Sequence, residues 1–219
     1  MKIFCINIEL PISNNNIYQV VDKVEDSDCI FLNHKIRSKQ DKIKLVTETN
    51  VPVVTQALNL RRQFQKKLVY MCGGDVPPVI LPNYSEITVL NVSVSKSSKS
   101  KNEIVIAPQV EDNFDFFLTE PKLSIGFVGQ KMHNRQTYLE YLSKCSIETN
   151  FIIRDAYIHK LTQQHKQDFK NNMNNNLFTF CYRGRGNFSV RFYETIMRGR
   201  IPIVITTDNI FPYEDKIDY

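Results

Sequence analysis

The stretch Leu177-Phe178-Thr179-Phe180-Cys181-Tyr182-Arg183-Gly184-Arg185-Gly186-Asn187-Phe188-Ser189-Val190-Arg191-Phe192-Tyr193-Glu194, continued by Thr195–Arg200 and by Ile201-Pro202-Ile203-Val204-Ile205-Thr206-Thr207-Asp208, decides how the chain is read. It consists of a β-rich apolar run, a glycine-rich turn, a segment of helical spacing and a second β-rich run, expected as strand 177–182, helix 189–198 and strand 201–206. A right-handed crossover between such strands makes them parallel and brings their carboxyl ends to one edge. Arg183 leaves the first strand at that edge, and Thr207 and Asp208 leave the second. Ligands of open α/β sheets bind there.

The turn and helix suit an anion. Gly184 and Gly186 allow positive φ and a close approach to the backbone. Asn187 or Ser189 is placed to cap the helix, whose first amides and dipole favour a phosphate, while Arg183 or Arg191 can supply formal charge. Glu194 lies three residues after Arg191 and four before Arg198, so the three share a polar face while Phe192, Ile196 and Met197 are expected to turn inward. On spacing alone this face is either a salt-bridged surface or a site in which Glu194 accepts hydrogen bonds from ribose hydroxyls. Gly199 ends the helix as a C-cap residue. The glycines match neither a dinucleotide fingerprint nor a P-loop, because Ser189 stands where the first wants Gly or Ala and no Gly-Lys-Ser/Thr follows.

Working outward, the same alternation extends over the rest of the chain and predicts an α/β fold with parallel sheets. Before the decisive stretch it gives strands at 123–128 and 148–153, with helices at 134–143 and within 156–173. The run Asn171–Asn176 reads as a loop ending the second helix. In the first half, strands are expected at 3–9, 29–33, 51–55, 68–72, 87–94 and 104–106, with crossover helices between 35 and 48 and between 57 and 67. Ser95–Lys101 reads as a solvated polar loop. The expected division is a first domain over 1–107, a linker over 108–122 and a second domain over 123–219.

The 219 residues, 42% hydrophobic and 11% aromatic, are enough for a sizeable core and exclude a disordered chain. A net charge of +5 suits an anionic small ligand as well as a polyanion. Five scattered cysteines, an odd number without zinc spacing, read as reduced thiols of an intracellular protein. No window approaches the ~20 apolar residues of a membrane helix. With no signal peptide read at the N-terminus, a cytoplasmic location is expected, and the sequons at Asn91 and Asn187 carry no meaning there.

The motif Arg183-Gly184, Ser189, Arg191, Glu194, then Gly199-Arg200-Ile201-Pro202-Ile203-Val204-Ile205, Asp208 and Pro212-Tyr213 resembles the exostosin-like glycosyltransferase family, most strongly over 123–219. Ile125-Gly126-Phe127-Val128-Gly129 and the Asn172-Met173 region are similar to it as well, and the first half resembles it weakly. The resemblance implies two Rossmann-like domains of GT-B type, an acceptor-side N-terminal one and a nucleotide-sugar-binding C-terminal one. The chain stops soon after the acidic sequel Glu214–Tyr219, so the C-terminal domain is expected to be truncated.

It further implies transfer from a nucleotide sugar, commonly a UDP-sugar, to a glycan or other hydroxyl acceptor with inversion. No metal and no other cofactor is required, and neither a nucleic-acid partner nor a membrane segment is expected. Arg183 and Arg191 would face the diphosphate with Gly184, Ser189 would cap the helix and touch phosphate, Glu194 would meet ribose or sugar, and Asp208 completes the donor set. The base is open: Asp75 is the first candidate, Glu103 and Asp112 stand behind it, and His133 could face the cleft. Asp26-Ser27-Asp28 precedes its strand and reads as a turn rather than a metal motif. Two other readings are a non-catalytic nucleotide-sugar binder and a basic nucleic-acid binder using Arg183, Arg185 and Arg191 near Phe188, Phe192 and Tyr193.

Overall fold

The computed structural model describes residues 1–6, 18–33, 50–72, 84–108, 110, 120–132, 134–155 and 161–219. The chain forms two compact units, Met1–Ala107 together with Asp208–Tyr219, and Pro108–Thr207. The last twelve residues, expected with the second domain, therefore belong to the first unit. Among the described residues no helix is long and apolar enough to cross a membrane.

The first unit is built on six parallel strands, β1 (Lys2–Ile6), β2 (Gln19–Val21), β3 (Cys29–Asn33), β4 (Lys67–Cys72), β5 (Thr88–Asn91) and β6 (Glu103–Val105), in the order β2-β1-β3-β4-β5-β6. Near-continuous apolar strands mark a sheet buried on both faces. Ile30, Leu32, Leu68, Tyr70 and Val89 form that interior. Helix α1 (Asn50–Phe64) takes in Val51–Thr55, which the sequence had suggested as a strand. The β-branched residues there favour strand locally. Tertiary burial overrides them, because Val54, Ala57 and Leu58 recur at helical spacing and all three are buried in the core. Pro52 falls in the first turn, where a missing N–H is tolerated. Strand β2 was not expected, and the helix predicted at 35–48 lies outside the described residues.

The C-terminal segment is tied to the loop after β5. Ser95 and Asn209 form an antiparallel bridge, Lys96 N–H donates to the Asp208 carbonyl at 2.8 Å, and Ile210 N–H to that of Val94 at 3.3 Å. The Ser95–Lys101 tract is thus not wholly a solvated loop, since its first residues hold this segment.

The second unit runs β7 (Lys122–Gln130), α2 (Arg135–Leu142), β8 (Glu148–Arg154), α3 (Gln163–Asn175), β9 (Asn176–Cys181), α4 (Val190–Met197) and β10 (Ile201–Val204). All four strands are parallel, in the order β10-β9-β7-β8. The β-α-β-α-β-α-β order is the one read from the sequence. Both sheets are compatible with Rossmann-like domains.

The Asn171–Asn176 tract is not a loop. Helix α3 continues to Asn175, and Asn172 and Asn176 are buried. Asn172 Nδ2 donates to the Asn150 carbonyl at 2.9 Å, Ser124 Oγ to Asn176 Oδ1 at 2.7 Å, and Asn176 Nδ2 to the Asn172 carbonyl. A Cβ at Gly126 would come within 2.6 Å of Asn172 Oδ1 and 2.8 Å of Asn176 Nδ2. The glycine of β7 is what lets this polar network close against the strand.

Candidate functional site

The strand order of the second unit fixes where a ligand crevice can open. From β7 the chain crosses to β8 on one side, then returns through α3 to β9 on the other side. The direction of winding reverses between β7 and β9, and an open α/β sheet has its crevice outside the carboxyl ends at such a switch point. Gln130 ends β7 there, and Arg183 follows the end of β9.

Three arginines gather at this point. Arg191 of α4 donates through Nη2 to the Val128 carbonyl of β7, and its guanidinium lies 4.6 Å from the centroid of the Phe127 ring and 5.5 Å from that of Phe169. Gly129 makes room for it, since a Cβ there would stand 3.2 Å from Arg191 Nη2 and 3.0 Å from Phe127 Cζ. Arg135, at the first position of α2, approaches the same Phe127 ring at 5.5 Å. Its Nη1 donates to the Gln130 carbonyl at 2.7 Å and its Nη2 to the Arg183 carbonyl at 2.8 Å. Arg183 folds its own Nη2 back onto the Arg185 carbonyl at 3.2 Å. The Nε atoms of all three are buried without a hydrogen-bond partner.

Counter-charge is scarce. Among the described residues no ion pair involves Arg135, Arg183 or Arg191. Burial pushes the Arg135 guanidinium down to about 10, with repulsion from Arg191 adding to it and Tyr182 opposing. Arg191 is also held below its ordinary value, chiefly by burial, with Arg154 adding repulsion while Cys181 and Glu194 pull the other way. Two buried like charges on one aromatic ring are costly to a fold unless something anionic joins them.

The turn between β9 and α4 is closed by Gly184 N–H donating to the Phe188 carbonyl at 3.2 Å. Asn187 is buried, and its Oδ1 accepts from Thr207 Oγ1 at 2.7 Å. Ser189 occupies the N-cap position of α4 but makes no side-chain cap bond. Neither Gly184 nor Gly186 uses positive φ; among the described residues Gly199 is the glycine that does, at φ 63°. Gly199 closes a Schellman motif, its N–H donating to the Ile196 carbonyl and that of Arg200 to the Thr195 carbonyl. A Cβ on Gly184 would meet nothing within 4 Å among the described residues.

Of the residues expected together, the structure brings Arg183, Gly184, Ser189, Arg191 and Glu194 onto one turn and helix. Asp208 folds with the first unit, where its carboxylate accepts from Ser97 Oγ at 2.5 Å and from Ser97 N–H at 3.3 Å. The reason is the antiparallel bridge that draws the chain after Thr207 onto the loop after β5. Helix α4 buries Phe192 and Thr195, whereas Ile196 and Met197, expected inward, are exposed. Glu103 is a buried structural carboxylate, accepting from Asn91 Nδ2 at 3.1 Å and Ser100 N–H at 2.8 Å. Asn91 has no exposed surface, so its sequon is inaccessible in the folded chain. Asp28, at the turn before β3, accepts from Lys2 N–H at 2.6 Å. Asp75, Asp112 and His133 lie outside the described residues.

Arg135 escaped the sequence reading. One signal was available: a cation at the first position of a helix opposes the helix dipole, so its presence there asks for another purpose. No protein-family model and no curated protein matches this chain.

Proposed function

We propose that the second unit is the donor-binding part of an exostosin-like, GT-B-type glycosyltransferase, holding the diphosphate of a nucleotide sugar, a UDP-sugar by the resemblance, at the β7/β9 switch point. The observation that carries this reading is the cluster of arginines that has no ion-pair partner among the described residues, beside a glycine, Gly184, whose Cβ position is open among them. A diphosphate is a compact dianion that supplies the missing counter-charge and needs open space next to the turn backbone. Arg183 and the first amides of α4 bind it, Arg191 contributes its field from behind Phe127, and Glu194 accepts from the ribose. In the transfer step an acceptor hydroxyl attacks the anomeric carbon in line, a carboxylate takes its proton, and the nucleoside diphosphate leaves with the bonding pair.

Calorimetric titration with UDP and a panel of UDP-sugars tests this. Saturable binding of UDP, together with transfer or slow donor hydrolysis, is the expected result; absence of binding at millimolar ligand sinks the reading. Binding without turnover on any acceptor leaves a nucleotide-sugar binder. Glu194→Ala is expected to weaken UDP about tenfold and leave inorganic pyrophosphate unchanged. Equal loss for both ligands would remove Glu194 from the ribose.

A further inference from the structure

Arg135 spends its two terminal nitrogens on main-chain carbonyls, those of Gln130 and Arg183, which belong to the ends of two different strands. Gln130 closes β7 and Arg183 opens the turn after β9. These are the ends of the two strands that flank the switch point. Only a planar guanidinium can span both carbonyls in this way, because its nitrogens form a rigid fork, whereas a lysine ammonium is a point donor. The side chain is almost fully buried and its Nε has no partner, so the group is not there to satisfy solvent-facing carbonyls on an open surface. Its position at the start of α2 also costs helix stability.

We propose that Arg135 is the positioning residue of the anion site: by clamping the carbonyl of Arg183 to that of Gln130 it sets where the Arg183–Ser189 turn stands across the crevice. This rests on the diphosphate reading for its functional meaning, but the clamp itself is a property of the unliganded chain. Arg135 does not touch the ligand. It fixes the backbone from which the Arg183 side chain is presented, and it places a second positive charge beside Phe127, where it reinforces Arg191.

The test is hydrogen exchange by mass spectrometry on the full chain, wild type against Arg135→Lys and Arg135→Met, with and without UDP. Lysine keeps the charge, so it guards against a variant that fails to fold. The expected result is faster exchange confined to peptides covering 183–189, unchanged exchange in β8 and α3, and at least about tenfold weaker UDP binding in the lysine variant. Millimolar methylguanidinium added to Arg135→Met restores both readouts in part. Unchanged exchange at 183–189 overturns the proposal whatever UDP does. Uniform acceleration across β7, β8 and β9 also overturns it, as that is the mark of a residue that merely stabilises the unit. If the wild type fails to bind UDP while 183–189 still loosens selectively, the clamp stands and the diphosphate reading falls.

Discussion

The guanidinium groups of Arg135 and Arg191 approach one ring, that of Phe127, to 5.5 and 4.6 Å, and neither has a carboxylate in ion-pair contact among the described residues. Burial, with repulsion from Arg191 adding to it, depresses the Arg135 value to about 10. For a group whose folded value is depressed, the stabilising contribution is present above the unfolded value and is lost as pH falls through the folded one. At neutral pH the buried charge therefore costs stability. A bound anion offsets that cost.

Pyrophosphate is accordingly expected to raise the melting temperature at pH 7 well beyond an ionic-strength-matched chloride control. At a hundred times its dissociation constant the stabilisation is about 2.7 kcal/mol. Scanning calorimetry decides the matter, and equal shifts in pyrophosphate and chloride would show that the arginines need no ligand. The stabilisation is expected to shrink in Arg191→Met.

Gly184→Ala separates ligand from fold. The alanine fits, because its Cβ meets nothing and the backbone is not at positive φ. Thermal stability should be unchanged or raised by about 0.4–1 kcal/mol. UDP affinity should drop at least about tenfold if the empty space beside the turn is where the diphosphate lies. Full UDP affinity in this variant would place the ligand elsewhere.

The two glycines of β7 predict a ranking. Gly126→Ala drives a Cβ to within 2.6 and 2.8 Å of two buried asparagine side chains, one bonded to the Asn150 carbonyl of β8 and the other to the Asn172 carbonyl of α3, and is expected to cost about 2–3 kcal/mol. Gly129→Ala presses on the edge of Phe127 and the tip of Arg191 at 3.0 and 3.2 Å, and should cost about 1 kcal/mol while weakening UDP binding. Urea denaturation followed by fluorescence of the tyrosines measures both. A reversed order would contradict the contacts described.

Asp208 provides a pH prediction in the first unit. Its carboxyl is held below the ordinary carboxylate value by the hydrogen bonds from the Ser97 hydroxyl and N–H, with Lys96 assisting. A depressed carboxylate contributes stability that is complete above its unfolded value and drains away as pH falls through the folded one. The segment 208–217 should stay protected in hydrogen exchange down to pH 4 and loosen below the folded value. Asp208→Asn should loosen it at neutral pH. Protection that is indifferent to both changes would mean that the main-chain bridge between Ser95 and Asn209 suffices.

Much of the second unit was legible because its signals are local. The glycine-rich turn, the Gly199 stop and the β-branched run after it each follow from residues adjacent in the chain. The first half was less legible, since Val51–Thr55 carry strand propensity and only the core that accepts Val54, Ala57 and Leu58 makes them helical. The asparagine tract misled for the same reason: a buried asparagine network depends on Ser124 and Asn150, far away in sequence.

The sequence by itself determined the alternating α/β order of the second unit and the turn between β9 and α4, because period and turn chemistry are written within a few residues. Only the tertiary structure decided that β9 returns to the far side of β7, that Arg135 joins the two strand ends, that Asp208 folds onto Ser97, and that a Cβ at Gly184 would meet nothing within 4 Å among the described residues. Those outcomes depend on which distant carbonyl or carboxylate a side chain finds once the sheet has closed, and the spacing of residues along a chain carries no record of that.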